Sequence, residues 1–438
     1  MKECLHTEKS DADTESYDLH SVLCPFRLLF RKRNSRAPGY RPGELKSLIY
    51  CLLFSLIFIL GCRNPGSVKP QLVVHSVEDL PEMKELPDPF LFANGQRVRD
   101  QKEWAARRLE IKDILLEYEY GRMPPAPDDW SARVISRKAW QGGEIILVKL
   151  ALNSGIGHSL EMSVNVYRPA GDGPFPVVVN IGDDSSKAKL ALDRGFMMMT
   201  CSPELDLDPD LEGKDVVGPA QLAYPAYDWG ALAVWAWSAS RVMDYLETRD
   251  DAQTECVIVR GHSRMGKAAL LAGAMDERFA MVAPNGSGTG GASVFRVRNP
   301  GAETLASISS TQRFASWFHK DFHRFGGRTE NLPFDQHWLH ALVAPRLLIS
   351  TEAEEDRWAN PLGSQAAFES ARHVYRFLGV PGNIGLHIRA GDHENLEEDW
   401  NAMLEFAEWR FFGKTTRRRF DHNWDVGYSP TYEWGKPE

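Results

Sequence analysis

The chain has 438 residues, 43% of them hydrophobic and 25% charged, with a formal net charge of −9. That balance excludes a wholly disordered, collagen-like or multi-span membrane protein, and an acidic total without a long basic stripe argues against nucleic-acid binding. The length admits two or three domains of roughly 100–200 residues, or one large α/β domain with insertions. Six cysteines in such a chain do not make a disulfide scaffold.

The first feature along the chain is an address. Leu48 to Leu60 (LIYCLLFSLIFIL) is apolar almost without a break, but too short for a bilayer span, which needs roughly 20 residues. Arg31, Lys32, Arg33, Arg36, Arg41 and Lys46 precede it, and Leu60-Gly61-Cys62 follows. Positive, then apolar, then small is the layout of an export signal. Leu-Gly-Cys resembles a bacterial lipobox, and cleavage there would leave Cys62 as a lipidated first residue. The expected location is therefore periplasmic or outer-membrane-anchored, with membrane contact only through that lipid; an uncleaved anchor helix is the alternative. About 45 residues precede the run, a long lead for such a signal, which suits a start codon called too early. Residues 1–62 are set apart as extension and signal, which leaves Cys201 and Cys256 as possible disulfide partners. Residues 63–85 are polar, with Pro65, Gly66 and Pro70, and read as a linker.

From Leu86 the pattern is dense. Glu103 to Tyr120 has apolar residues at helical spacing and stops at Gly121. Ile145–Leu152 and Met162–Tyr167 alternate as antiparallel strands do, and Phe175–Ile181 (FPVVVNI) reads as a buried strand. Phe196–Cys201 is another. The acidic stretch Asp206, Asp208, Asp210, Glu212, Gly213 has its glycine misplaced for a calcium loop and is taken as solvated. Tyr227 to Thr248 predicts a long helix, Cys256–Val259 a strand and Lys267 to Met275 a helix. Leu347–Ser350, Gly363–Leu378, Ile384–Ile388 and Trp400–Phe411 continue as strand, helix, strand and helix. Strands alternating with helices imply a doubly wound, mostly parallel α/β sheet, and together with the elbow described next the expected class is the α/β-hydrolase fold, a three-layer sandwich. The catalytic domain is expected over 86–413, with 414–438 a tail of unassigned role. A monomer is expected.

The chemistry concentrates in Val257-Ile258-Val259-Arg260-Gly261-His262-Ser263-Arg264-Met265-Gly266-Lys267. A buried strand enters a glycine-bounded turn holding one serine, and a small-residue helix follows, the context of a nucleophile elbow. The generic G-x-S-x-G is broken, since Met265 occupies the second glycine position and Gly266 comes one residue later. With Ser263 as nucleophile, the chain order serine, acid, histidine puts the base at His393, in a loop after the last predicted strand. His337, His340, His373 and His387 are weaker rivals. The acid belongs after Leu347–Ser350, where four carboxylates crowd Glu352-Ala353-Glu354-Glu355-Asp356. Asp356 is preferred, with Glu355 second, to orient the imidazole and stabilise its cation.

Gly261-His262-Ser263-Arg264-Met265-Gly266-Lys267 resembles the G-[CH]-S-R-x-G-K signature of glucuronoyl esterases, carbohydrate esterase family 15. Further segments agree in order: Leu86-Pro87-Asp88-Pro89, the Trp104…Arg108…Glu110 helix, Tyr120-Gly121-Arg122-Met123-Pro124, Tyr227-Asp228-Trp229-Gly230-Ala231, Ser287-Gly288-Thr289-Gly290-Gly291, Leu332-Pro333-Phe334-Asp335-Gln336-His337 and Ala344-Pro345-Arg346. The likeness runs from about Leu86 to Phe411. It implies cleavage of the ester between 4-O-methyl-glucuronic acid on xylan and lignin alcohols. It implies Ser263 as nucleophile, His393 as base and Arg264 as oxyanion donor. Lys267 would meet hydroxyls of the uronic sugar, Trp358 would lie beside the uronate, and Glu303 would also bind the sugar. One departure stands out. Fungal members carry the acid two residues before the first glycine of the Ser-Gly-x-Gly-Gly turn, where this chain has Gly286. Other bacterial members look as if they place it after the penultimate strand, as Asp356 is here.

A polar acyl group suits a cleft with Lys267 and Arg264 around the nucleophile better than it would suit a lipase pocket. Thirteen Trp fit either a sugar cleft or a large core. No cofactor and no metal is expected, because acyl transfer through a serine ester needs neither and no zinc-type spacing occurs. Two alternatives are an acetyl-xylan or other carbohydrate esterase, and a non-catalytic glycan-binding surface lipoprotein.

Overall fold

The computed structural model describes residues 75–207, 218–314 and 316–422, together with Asp425, Tyr428, Tyr432 and Trp434. The apolar run 48–60, Cys62 and the acidic residues Asp208, Asp210, Glu212 and Gly213 lie outside the described residues.

Nine strands form one sheet: β1 (Asp129–Trp140), β2 (Gly143–Asn153), β3 (Ser159–Pro169), β4 (Phe175–Ile181), β5 (Met197–Cys201), β6 (Ala252–His262), β7 (Met281–Asn285), β8 (Leu347–Ala353) and β9 (Ile384–Arg389). Their spatial order is β1-β2-β3-β5-β4-β6-β7-β8-β9. The first three strands are antiparallel, as is the β3–β5 pair, and the run from β5 through β9 is parallel.

The parallel strands are apolar on both faces, as helices on both sides require. In β4, Val177, Val179 and Ile181 join one core while Val178 joins the other, and Val257, Val259 and Ile258 divide likewise in β6. The first core is closed by α1 (Gln101–Leu115), α2 (Ala231–Leu246), α3 (Arg264–Met275) and α4 (Pro361–Phe377). The second is closed by the short helix Ala188–Asp193 and by α5 (Glu397–Phe412). The result is the three-layer α/β-hydrolase sandwich.

Two features, strand β7 and the chain from Val77, depart from the sequence reading, and the tail whose role was left open is placed. Strand β7 was not among the expected elements; its five residues include Pro284, and it is fully buried between β6 and β8. The tether expected over 63–85 gives way to packed chain by Val77. Val77 and Leu80 are buried in the first core, and the Met83 N–H donates to the Glu330 carbonyl at 2.6 Å. The tail beyond Gly413 also packs. Phe420 is buried against Phe406, its carbonyl accepts from Leu386 N–H at 2.8 Å, and Trp434 stacks on His337. Cys201 and Cys256 are both free and buried, so the possible pairing does not form. No helix among the described residues is long and apolar enough to cross a membrane.

Candidate active site

Strands β6, β8 and β9 run parallel, so the loops leaving their carboxyl ends meet on one edge of the sheet, where open α/β sheets bind ligands. The β6 loop is a one-residue turn. Ser263 has φ 56° and ψ −127°, outside the comfortable regions for a side-chain-bearing residue. The turn is possible because both flanking glycines are required. A Cβ on Gly261 would lie 2.1 Å from the Met265 carbonyl oxygen, and one on Gly266 would lie 2.8 Å from Ser287 Cβ. The second glycine of the generic motif has therefore moved to the position where β7 and its loop press on the helix. Ser263 N–H donates to Asn285 O at 2.9 Å, which ties the elbow to the end of β7. The hydroxyl stands at the N-terminus of α3, where first-turn N–H groups lack helical acceptors.

Ser263 Oγ lies 2.9 Å from His393 Nε2, and His393 Nδ1 lies 2.5 Å from Asp356 Oδ2. Nδ1–H donates to the carboxylate, which leaves Nε2 to accept the serine proton. Asp356 is only 2% exposed, and its other oxygen accepts from Ala359 N–H at 3.1 Å. The hydrogen bond that Asp356 accepts raises the His393 pKa above its ordinary value, against the opposing effect of burial. Glu355, the second choice for the acid, faces elsewhere. Its carboxylate accepts from Gly391 N–H, and its own N–H donates to Gly391 O, so it pins the β8 loop to the β9 loop. Of the rival histidines, His337 and His340 are buried, and burial lowers both to about 3. His387 lies inside β9.

Lys267, Glu303 and Trp358 come together beside this relay. Lys267 is no surface lysine: it is 3% exposed. Its Nζ donates to Ser287 O at 2.7 Å, Thr289 O at 2.6 Å and Glu303 Oε2 at 3.4 Å. Contact with a sugar hydroxyl therefore requires exchange of one of these bonds, of which the Glu303 one is longest. Glu303 is buried, and its N–H donates to Trp358 O at 3.0 Å. The Trp358 ring itself is 43% exposed, with the Arg313 guanidinium 5.7 Å from its centre. By contrast, Trp104, Trp229, Trp235, Trp237, Trp317, Trp338 and Trp400 are buried, so most of the tryptophan content fills core.

Sequence reasoning gave no role to His262, Asn285 or Glu352, and knew Gly286 only as the place where the fungal acid is missing. The His262 ring lies 4.9 Å from the His393 ring, and burial lowers its pKa to about 4, which keeps it neutral. Its Nδ1 lies 2.8 Å from Asn285 Oδ1. Gly286 opens onto both rings: a Cβ there would lie 3.4 Å from His262 Cε1 and 3.7 Å from His393 Cε1. Glu352, in β8, is buried, and burial with the nearby Asp356 charge pushes its pKa well up. His262 adjoins the nucleophile, and that adjacency was the only available signal. Among the described residues, no group of three or more His, Cys, Asp and Glu is arranged to hold a metal ion.

The family model described as "Glucuronyl esterase, fungi" matches residues 153–379. This chain belongs to the glucuronoyl esterase family, carbohydrate esterase family 15. A 4-O-methyl-glucuronoyl methylesterase from Thermothelomyces thermophilus is 30% identical over 343 residues, which cover 74% of this chain and 81% of that protein. The structure of a carbohydrate esterase family 15 glucuronoyl esterase from Caldicellulosiruptor kristjansonii superposes with a TM-score of 0.68 at 31% identity, covering 82% of this chain and 98% of that one. A variant of the Sporotrichum thermophile glucuronoyl esterase, in complex with methyl 4-O-methyl-β-D-glucopyranuronate, matches with a TM-score of 0.64 at 26% identity, covering 80% and 94%.

Proposed function

We propose that this glucuronoyl esterase family member is a serine esterase that hydrolyses the ester between 4-O-methyl-glucuronic acid of glucuronoxylan and lignin alcohols. The observation that carries the reading is the continuous Ser263–His393–Asp356 relay, with separations of 2.9 and 2.5 Å. Ser263 Oγ attacks the ester carbonyl while His393 Nε2 takes its proton. The oxyanion forms at the start of α3, within reach of the Arg264 N–H and, in this reading, of its side chain. His393 returns the proton to the departing alkoxide, which leaves as the alcohol. A water, deprotonated by the same imidazole, then attacks the uronoyl-serine ester and frees the acid. Asp356 stabilises the imidazolium in both half-reactions without taking the proton. Glu303 and Lys267 serve the sugar hydroxyls, and Trp358 offers an exposed face to the sugar ring. The same reading takes the enzyme out of the cytoplasm, anchored through Cys62.

The test is hydrolysis of benzyl glucuronate beside acetylated xylan. Turnover of the uronate ester well above release of acetate is expected. The reverse preference would move the protein to the acetyl-esterase class, and silence on both, with glycan binding retained, to a binding protein. Within the same assay, Arg264→Ala is expected to lower kcat by about 10²–10³-fold, the usual cost of one oxyanion donor. Parental turnover in that variant would remove the Arg264 side chain from this role.

A further inference from the structure

The loop that carries His393 is joined to the strand that carries Ser263 by a closed polar triangle that the relay itself does not contain. Arg260 lies in β6, three residues ahead of the nucleophile, and is 1% exposed. One of its nitrogens donates to Asp184 Oδ2 at 2.6 Å and to Asn180 Oδ1 at 3.0 Å. The other donates to Asn395 Oδ1 at 2.6 Å. The Asn395 amide then donates to Asp184 Oδ1 at 2.7 Å, which closes the ring. The guanidinium carbon also lies over the Trp400 ring, 4.0 Å from its centre. Two corners sit on loops at the carboxyl edge of the sheet, Asp184 after β4 and Asn395 two residues after His393, and the third, Arg260, sits in β6 just before the elbow.

A buried arginine is retained at a desolvation cost unless its donors are directed at fixed acceptors. Here they reach the two loops that must not drift relative to the nucleophile. A guanidinium that donates to Asp184 and Asn395 from two nitrogens of one plane, with Trp400 against it, ties the two loops to β6 through a rigid fork. Ser263 and His393 are 130 positions apart in the chain, and their side chains meet across 2.9 Å. The loop is also held by Glu355, which bonds the Gly391 backbone from the β8 side, by the His393–Asp356 contact, and by Arg389, which donates to the carbonyls of Ala390, Asp392 and Glu394 and pairs with Asp399. Arg389 shapes the loop internally, whereas Arg260 relates it to the elbow.

The geometry points to Arg260, Asp184 and Asn395 as positioning residues that set the distance between Ser263 and His393. This rests on the proposed serine mechanism but not on the uronate substrate. Asn395 is half-buried on a loop and bears no contact to the reacting atoms, so Asn395→Ala is the first variant. Arg260→Lys is the second, because a lysine keeps the buried charge and cannot hold both other corners in the fork geometry.

The readout is the rate and the final stoichiometry of Ser263 labelling by a fluorophosphonate, with kcat and KM for benzyl glucuronate measured beside it. Labelling rate and kcat are expected to fall together by roughly 10–100-fold, as for a reacting group misplaced by about an ångström. KM stays near the parental value and labelling still runs to one per chain. Labelling at the parental rate, whether of all the chains or of a reduced fraction, would overturn the proposal, since the triangle would then serve folding alone. A parent that is not labelled at all would overturn both this proposal and the serine mechanism. Slow, complete labelling of Asn395→Ala beside a parent that hydrolyses no uronate ester would uphold the triangle and remove the substrate assignment.

Discussion

Ser263→Ala is expected to abolish turnover of benzyl glucuronate, with a loss of roughly 10⁶-fold, comparable to removal of the nucleophile in other serine hydrolases. The physical case starts from the backbone. A residue other than glycine at φ 56° and ψ −127° is held there against a local cost of order 1–3 kcal/mol. The strain places one hydroxyl at the first turn of α3 and 2.9 Å from the His393 Nε2 nitrogen. Alanine keeps the same backbone strain and loses only the oxygen, so the melting temperature should move by no more than a few degrees. Binding of a non-hydrolysed uronate should persist, because Lys267, Glu303 and Trp358 are untouched. Turnover within about 100-fold of the parent would exclude Ser263 as nucleophile, since oxyanion stabilisation and binding alone give only the residual rate.

The second large effect concerns the acid. Asp356→Asn is expected to lower kcat by about 10⁴-fold, because the amide no longer fixes the Nδ1–H tautomer or balances the imidazolium. Glu355→Gln should cost far less, since that side chain reaches only the Gly391 amide. The pH profile separates the two further. Asp356 holds the His393 pKa up, while Lys267 opposes protonation and Glu303 favours it. His393 must be neutral to accept the serine proton, so parental kcat/KM falls as pH drops through that raised value. Without the Asp356 charge the pKa falls, and the acid limb of the profile moves to lower pH. Glu355→Gln should leave that limb in place. An unshifted limb in Asp356→Asn, or an equal rate loss in both variants, would exclude Asp356 as the acid.

The parallel half of the fold was legible because its strands are short β-branched runs between turn residues, and Phe175–Ile181 reads the same in sequence and structure. Ser263 and His393 were legible because each follows such a strand in a glycine-containing turn. Asp356 was harder, since four carboxylates share one loop and periodicity does not say which is buried; the fold buries it beneath His393 and turns Glu355 toward a backbone amide. Strand β7 is only five residues long and was passed over, and with it the part played by Asn285 under His262 and the elbow. The Arg260 triangle was illegible for a different reason. Its corners are 76, 135 and 211 positions apart, and nothing local distinguishes them from ordinary surface residues.

The Phe420 carbonyl on the Leu386 amide bears on where this enzyme can be cut. Strand β9 is the last in the sheet, and such edges template pairing with other chains unless something covers them. Here the cover is the chain beyond Gly413, with Phe420 also filling the space beside Phe406 and Trp409. A recombinant version ended at Gly413, where the sequence pattern of helices and strands stops, would keep every residue of the catalytic relay. It would also uncover a sheet edge and an aromatic hollow, and its failure in the test tube would be aggregation, not loss of chemistry. Residues 414–422 thus belong to the solubility of the enzyme as much as to its fold.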